Sequence, residues 1–176
     1  MSNYKSKLNH ISTFIFDVDG VLTDGSIILM PDGSLTRTMN TRDGFAMKYA
    51  LDNGYKLVII TGGKDKQIKE RLSMLGINDI YLGIHNKLEV YHELKMMYNL
   101  ADQEILYMGD DMPDYEVLQE VGLSTCPHDA VPDIRQIVDY ISPFDGGKGC
   151  VRDVIEQTLK AQGKWILSNN HITSSL

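Results

Sequence analysis

The sequence predicts an α/β fold, a doubly wound parallel sheet with helices on both faces. Three observations carry this. Short apolar runs that read as buried strands alternate with longer amphipathic stretches that read as helices. The connections between them are short, as crossovers within one sheet require. Asp, Thr and Lys stand at the ends of the strand runs, the edge where such sheets bind ligands.

Thr13-Phe14-Ile15-Phe16 is an apolar run ending at Asp17, the pattern of a first strand buried on both faces. Ile27–Met30 and Leu35–Met39 flank Pro31-Asp32-Gly33-Ser34, whose turn chemistry predicts a β-hairpin flap over about residues 25–39. Phe45, Met47, Ala50 and Leu51 recur at helical spacing over Asp43–Asn53, before Gly54. Lys56–Ile60 reads as the second strand. Ile68, Leu72 and Leu75 line one face of a helix over Lys64–Leu75, closed by Gly76. Asp79–Leu82 reads as the third strand, and Leu88, Tyr91, Leu94 and Tyr98 stripe a helix over Asn86–Tyr98. Glu104–Met108 reads as the fourth strand. Pro113–Val121 has proline at its start and glycine after its end, as helices do. Leu123–Cys126, Val131–Val138, Tyr140-Ile141 and a last helix over Cys150–Ala161 continue the alternation. Residues 1–176 form one domain on this reading, with a loose tail from about 163.

The length of 176 residues is enough to enclose a sizeable core. A net charge of −7 disfavours nucleic acid and anionic membrane as partners. The two cysteines, Cys126 and Cys150, form no CxxC pair, which argues for buried free thiols and against a zinc site. Neither an apolar signal core nor a run long enough to span a bilayer occurs, so the expected location is the cytoplasm. The five histidines lack metal-ligand spacing, though His85 lies two residues before Lys87. The nine methionines read as core filler.

The strand ends carry the chemistry. Asp17-Val18-Asp19-Gly20 follows the first strand and Thr61-Gly62-Gly63 the second. Lys87 follows the third and Gly109-Asp110-Asp111 the fourth. Brought to one edge, Asp17, Asp19 and Asp110 repel one another. A hard divalent cation removes that conflict, and magnesium suits two carboxylates, a carbonyl and waters. Lys87 and the amides after Thr61 supply the positive counterpart of a phosphate site. Asp17 is placed to attack phosphorus, and Asp19 to protonate the leaving oxygen and then deprotonate water. Each element alone is an ordinary turn or helix start; the ordered set of four is what points to phosphoryl transfer.

These residues resemble the haloacid dehalogenase superfamily of phosphohydrolases. Asp17–Asp24 is similar to its first motif, Thr61 to its second, Lys87 to its third and Gly109–Asp114 to its fourth. The resemblance implies a Rossmann-like sheet, with Asp17 as nucleophile and metal ligand. Asp19 would be acid/base, with its backbone carbonyl on Mg2+, and Asp110 would complete the metal ligands. Thr61, Gly62 and Lys87 would hold phosphate, with Asp111 and Asp114 in support.

Asp19–Gly25, Thr41-Arg42-Asp43-Gly44 and Gly146–Asp153 narrow the resemblance to the 3-deoxy-D-manno-octulosonate 8-phosphate phosphatases, which adds Arg42 as a substrate contact and implies lipopolysaccharide precursor synthesis. Related enzymes act on 9-phosphates of nine-carbon keto-deoxy sugar acids. The octulosonate enzymes usually read Thr-Gly-Arg at the second motif, and the nine-carbon relatives often carry glutamate there. This chain reads Thr61-Gly62-Gly63, so a candidate partner for the sugar carboxylate is missing. Lys64 offers a point charge in place of a fork. Both substrate classes stay open.

Only residues 25–39 separate the first motif from the next helix, so no large cap domain covers the site. The resemblance is then to capless members that form homotetramers. Exposed apolar residues on the flap favour the same reading, with the Gly146–Gly149 run flexible enough to carry Lys148 or Arg152 to a neighbouring site. A phosphoaccepting receiver domain is also doubly wound and has an acidic pair, a threonine and a lysine. Its phosphorylated aspartate follows the third strand and its lysine the fifth, an order this chain does not have. A catalytically dead scaffold would not need the acids and lysine intact.

Overall fold

A computed structural model describes residues 4–166. A short helix α1 (Tyr4–Lys7) and a 3₁₀ turn (Leu8–His10) precede β1 (Thr13–Phe16). The flap follows as β2 (Ile28–Leu29) and β3 (Leu35–Thr36), then α2 (Thr41–Asp52), β4 (Lys56–Ile60), α3 (Lys66–Met74), β5 (Asp79–Tyr81) and α4 (Lys87–Tyr98). The chain continues through β6 (Ile105–Met108), α5 (Tyr115–Glu120), β7 (Leu123–Cys126), α6 (Pro132–Ile137), β8 (Tyr140–Ile141) and α7 (Cys150–Ala161).

The main sheet has six parallel strands in the order β5-β4-β1-β6-β7-β8. The chain builds outward from β1 through β4 to β5 and then returns to β1's other side with β6. Strand order therefore reverses at β1, and the carboxyl ends of β1, β4 and β6 meet there. The strand period of two divides the core. Phe14, Phe16, Leu57 and Ile59 face α2, α3 and α7, whereas Ile15, Val58, Ile60 and Tyr107 face α4, α5 and α6.

Element positions agree closely with the sequence reading, with four differences. The N-terminal helix was not expected, because most of its residues are polar. Its anchor is Leu8, buried on the core. The expected helix from Pro113 begins as a 3₁₀ turn over Met112–Asp114, set by Asp111, whose side chain accepts from the Met112 N–H at 2.7 Å. The tail expected to be loose from about 163 is packed at its start: Trp165 is buried and meets Tyr49 and Phe45 edge-on. The rest of that tail, residues 167–176, lies outside the described residues. Methionine is only partly a core residue here: Met47 and Met108 are buried, but Met74, Met96 and Met97 are exposed on helix surfaces. Both cysteines are free and buried.

The Gly146–Gly149 run also departs from expectation, because it is pinned to its own chain. A Cβ on Gly146 would lie 2.0 Å from the Gly20 carbonyl oxygen, and the Gly147 N–H donates to Val21 O at 2.9 Å. Only residues without side chains allow two backbones to approach this closely.

The run delivers α7 to Asp43, in the first turn of α2. Asp43 Oδ1 accepts from the Arg152 N–H at 2.8 Å and so caps α7 from another helix. Its Oδ2 is buried without a partner. Burial lifts the Asp43 carboxyl to about 6, against the pull of the Arg152 and Gly149 amides. A carboxyl raised on folding binds its proton more tightly in the folded chain. Its stabilising contribution is present in full below about pH 4 and is lost as pH rises through about 6. Asp43→Asn should remove that decline. In urea titrations at about pH 4 and about pH 7, wild type should lose on the order of 2 kcal/mol relative to the variant. A pH-independent difference between the two proteins would mean that Asp43 does not titrate in this window.

Candidate active site

The site is built on the turn that ends β1. The Asp17 N–H donates to Met108 O at 3.1 Å, which extends the ladder one residue past the strand. The chain then folds around a single carbonyl. Val18 O accepts from the N–H groups of Val21, Leu22 and Thr23 at 3.2, 2.9 and 3.0 Å. The Thr23 hydroxyl accepts from Gly25 N–H at 3.2 Å and closes the turn. Gly20 has φ +85°, and a Cβ there would lie 2.0 Å from Asp110 Oδ2. This position therefore needs glycine for both conformation and space.

The other strands deliver their groups to the same place. Thr61, buried after β4, accepts from the Gly63 N–H through its hydroxyl at 3.1 Å. Asn86 caps α4 by accepting from Glu89 N–H at 3.2 Å, which sets Lys87 as the first helical residue with its side chain buried. Beyond β6, Gly109 lets Asp114 fold back: a Cβ on Gly109 would lie 2.3 Å from Asp114 Cγ.

Lys87 Nζ lies 2.9 Å from Asp17 Oδ2 and 2.7 Å from Asp114 Oδ1. The Tyr107 hydroxyl donates to Asp114 Oδ1 at 2.5 Å, and the Asp110 N–H donates to Asp114 Oδ2 at 3.2 Å. Both Asp114 oxygens are thus committed to protein donors. The Val18 N–H donates to Asp17 Oδ1 at 2.6 Å. Among the described residues, the Asp110 carboxylate has no protein donor.

Charge explains the perturbed acidities. Burial raises the Asp17 carboxyl to about 6, with Asp114 adding to the rise and Lys87 opposing it. Asp110 is pushed further, to about 8, by burial and by Asp17 and Asp114. For Lys87, burial works against the charge, but Asp114 and Asp17 outweigh it and the ammonium is held above its usual range. Tyr107 is fully buried beside Asp114 and stays a neutral donor.

Asp17, Asp110 and Asp114 each place an oxygen within 4.8 Å of the others. One ammonium does not balance three such carboxylates. A divalent cation fits this donor set, with Asp17 and Asp110 as the acids left open to it and Asp114 occupied by Lys87 and Tyr107. The sequence reading placed Asp17, Asp19 and Asp110 around the ion, with Asp19 acting through its carbonyl. In the structure the Asp19 side chain turns elsewhere, to Arg37.

A cleft of about 440 Å³ opens over this cluster, lined by Asp17, Asp19, Thr61, Gly62, Lys87 and Asp110 among others. Asp111 and Asp114 also reach it, as does His85. Two residues named as substrate contacts do not. The Lys64 stem lies against Gly83, whose Cβ would come 3.1 Å from Lys64 Cε, and the residue lines a groove beside α3. Arg42 begins α2 and lines a separate groove with Lys148 and Arg152 of the α7 region. The sequence reading missed Arg37, which pairs with Asp19, and Tyr107, which fixes Asp114. Arg37 carried one visible signal: it is the one cation of flap residues 25–39. Tyr107 gave none within its apolar strand.

Residues 76–152 match the haloacid dehalogenase-like hydrolase family. The 3-deoxy-D-manno-octulosonate 8-phosphate phosphatase of Escherichia coli K12 is 39% identical over 159 residues, 90% of this chain and 85% of that protein. The crystal structure of the 3-deoxy-D-manno-octulosonate 8-phosphate phosphatase of Yersinia pestis superposes with a TM-score of 0.90 at 34% identity, covering 93% of this chain and 88% of the other. That of Moraxella catarrhalis, solved in complex with magnesium ion, phosphate ion and a KDO molecule, has a TM-score of 0.88 at 34% identity over 92% and 93% of the two chains.

The close fit of Gly20 on Asp110 is testable. Excess magnesium should raise the Tm of wild type, because a ligand bound only by the folded state stabilises it. Gly20→Ala drives a methyl group into the Asp110 carboxylate and should abolish that rise. A full magnesium-dependent rise in the variant would remove Asp110 from the metal ligands.

Proposed function

This chain belongs to the haloacid dehalogenase-like hydrolases, in the family of the 3-deoxy-D-manno-octulosonate 8-phosphate phosphatases, and we propose that it hydrolyses that sugar phosphate to the free sugar acid and phosphate. The observation that carries the reading is the Asp17 carboxylate at the β1 edge, 2.9 Å from Lys87 and grouped with Asp110 beneath an open cleft. An acid so placed is a nucleophile with its counter-charges already arranged.

In the reaction, an Asp17 oxygen forms a bond to phosphorus as the bond from phosphorus to the sugar oxygen breaks. The electron pair left on the sugar oxygen takes a proton from Asp19. Water then gives a proton to Asp19 and attacks phosphorus, the Asp17–phosphorus bond breaks, and phosphate leaves. Lys87 and the amides after Thr61 offset the charge on the phosphoryl oxygens. Asp17, Asp110 and the Asp19 carbonyl would hold magnesium, which would supply further positive charge beside the phosphoryl oxygens when bound. Asp114 keeps Lys87 in place, and Asp111 borders the cleft.

The absence of an arginine at Gly63 favours keeping a second substrate in view, the 9-phosphate of a nine-carbon keto-deoxy sugar acid. A panel of eight- and nine-carbon substrates should give the higher kcat/KM on the octulosonate 8-phosphate. Turnover should vanish in Asp17→Asn, whose amide is a poor nucleophile and a poor ligand, and on exhaustive chelation. Preference for a nine-carbon substrate would reassign the specificity, and wild-type rates in Asp17→Asn would sink the mechanism.

The site is proposed to be completed by other copies of the chain. Among the described residues no cap covers the cleft, and Ile27, Ile28, Leu29, Met30 and Leu35 of the flap are all exposed, Leu29 to 78%. An apolar strip of this kind is better used as an interface than left in water. A cyclic homotetramer in which flaps pair and wall neighbouring sites satisfies both facts. No helix among the described residues is long and apolar enough to cross a membrane, and we place the reaction in the cytoplasm. Light scattering should find a tetramer for wild type. A Leu29→Glu, Leu35→Glu double variant should be dissociated and slower. A monomeric wild type at full activity would refute the assembly.

A further inference from the structure

The flap is exposed along most of its length, yet Arg37, just after β3, keeps only 7% of its side chain in solvent. A buried guanidinium needs its charge and its donors answered. Two carboxylates answer them. Nε donates to Asp19 Oδ1 at 2.6 Å and Nη2 to Asp19 Oδ2 at 3.2 Å, a two-pronged pair. Nη1 reaches Asp65 Oδ2 at 3.3 Å. Asp65 is itself fixed, because its Oδ1 accepts from the Gln67 N–H at 2.8 Å as the N-cap of α3. A continuous polar chain therefore runs from α3 through Asp65 and Arg37 to Asp19.

Position matters as much as pairing. Asp19 lines the cleft, whereas Arg37 lines only a small crevice with Asp19, Thr61, Gly63 and Asp65. The guanidinium meets the carboxylate of Asp19 and is not among the residues that line the cleft. Gly63 borders the same pair: a Cβ there would sit 3.5 Å from Asp19 Oδ2 and 4.0 Å from Arg37 Nη2. A longer side chain at 63 would begin in contact with both. The residue that is missing from the second motif is thus adjacent to a guanidinium delivered by the flap.

We infer that Arg37 is a positioning residue, by which the flap fixes the orientation of the Asp19 carboxyl for proton transfer to the leaving sugar oxygen. The inference rests on the assignment of Asp19 as the acid–base group. Without the fork, the Asp19 side chain, about one third exposed on a turn, would spread over several rotamers and lose the alignment that proton transfer requires. Ordering the flap and ordering the acid become one event, since the same guanidinium belongs to both.

The test uses the dependence on leaving group. An alkoxide leaving from the sugar needs its proton, whereas 4-nitrophenolate leaves without one. Because kcat/KM covers the steps up to the first bond cleavage, the later hydrolysis does not enter. Arg37→Met should lower kcat/KM on the octulosonate 8-phosphate by about 10²-fold, the lower range for a lost general acid, and change it far less on 4-nitrophenyl phosphate. Arg37→Lys should recover only part of the loss, since a point charge does not hold both carboxylate oxygens. In an Asp19→Asn background, Arg37→Met should cost nothing further, as expected for residues that act as a unit. Equal losses on both esters, or a full additional loss in the Asp19→Asn background, would overturn the positioning role. If Asp19→Asn alone depresses both esters equally, the acid–base assignment fails and takes the inference with it.

Discussion

Everything at the sheet edge depends on one buried contact, the ammonium of Lys87 between Asp17 and Asp114. Two carboxylates do not stay ionised in a buried site without a counter-charge, and removing one partner of such a group typically costs about 3–5 kcal/mol. The contact also fixes geometry. Asp114 is locked by Tyr107 and by the Asp110 amide, so Lys87 inherits a fixed position, and Asp17 inherits one from Lys87. What is left unbalanced is Asp110, the acid raised to about 8. The crowding of acids that makes Asp110 hold its proton is what a cation would relieve, and magnesium fits that need.

The supporting structure works mainly by close approach. Gly20 makes room for Asp110, Gly109 for Asp114, and Gly146 for the Gly20 carbonyl. These contacts stack the Gly146-Gly147 run on the catalytic turn, and that run leads into α7, whose first turn is held by Asp43 of α2. The turn bearing Asp17, the proposed nucleophile, is thus braced by the two helices that carry much of one core face. A site built this way is rigid where charge must be placed and open where substrate must enter.

The flap is the exception. It is exposed and apolar, and within the chain it is tied to the site by Arg37, through Asp19 and Asp65. On the proposals above, proton transfer and contact between copies would meet in this one small hairpin.

The sequence by itself determined the alternation of elements, because a strand buried on both faces and an amphipathic helix have periodicities that do not depend on distant residues. β1, β4, β7 and α7 fall where the apolar patterns place them. It also pointed to the acids, the threonine and the lysine of the site, since Asp17, Thr61 and Asp110 stand within two residues of a strand's end, Lys87 opens the helix after β5, and strand ends in a parallel sheet share one edge. Only the tertiary structure decided which of these groups touch. That Lys87 lies between Asp17 and Asp114 is a contact between elements distant in sequence, and that Tyr107 fixes Asp114 depends on the chain folding back after Gly109. The same limit hid Arg37, which is separated from Asp19 by 18 residues and from Asp65 by 28. It also could not tell that Lys64 and Arg42, expected as substrate contacts, line grooves other than the cleft. Local pattern specifies what a residue is and which element carries it. The partner of a buried charge is set by how the elements pack, and that is a property of the whole chain.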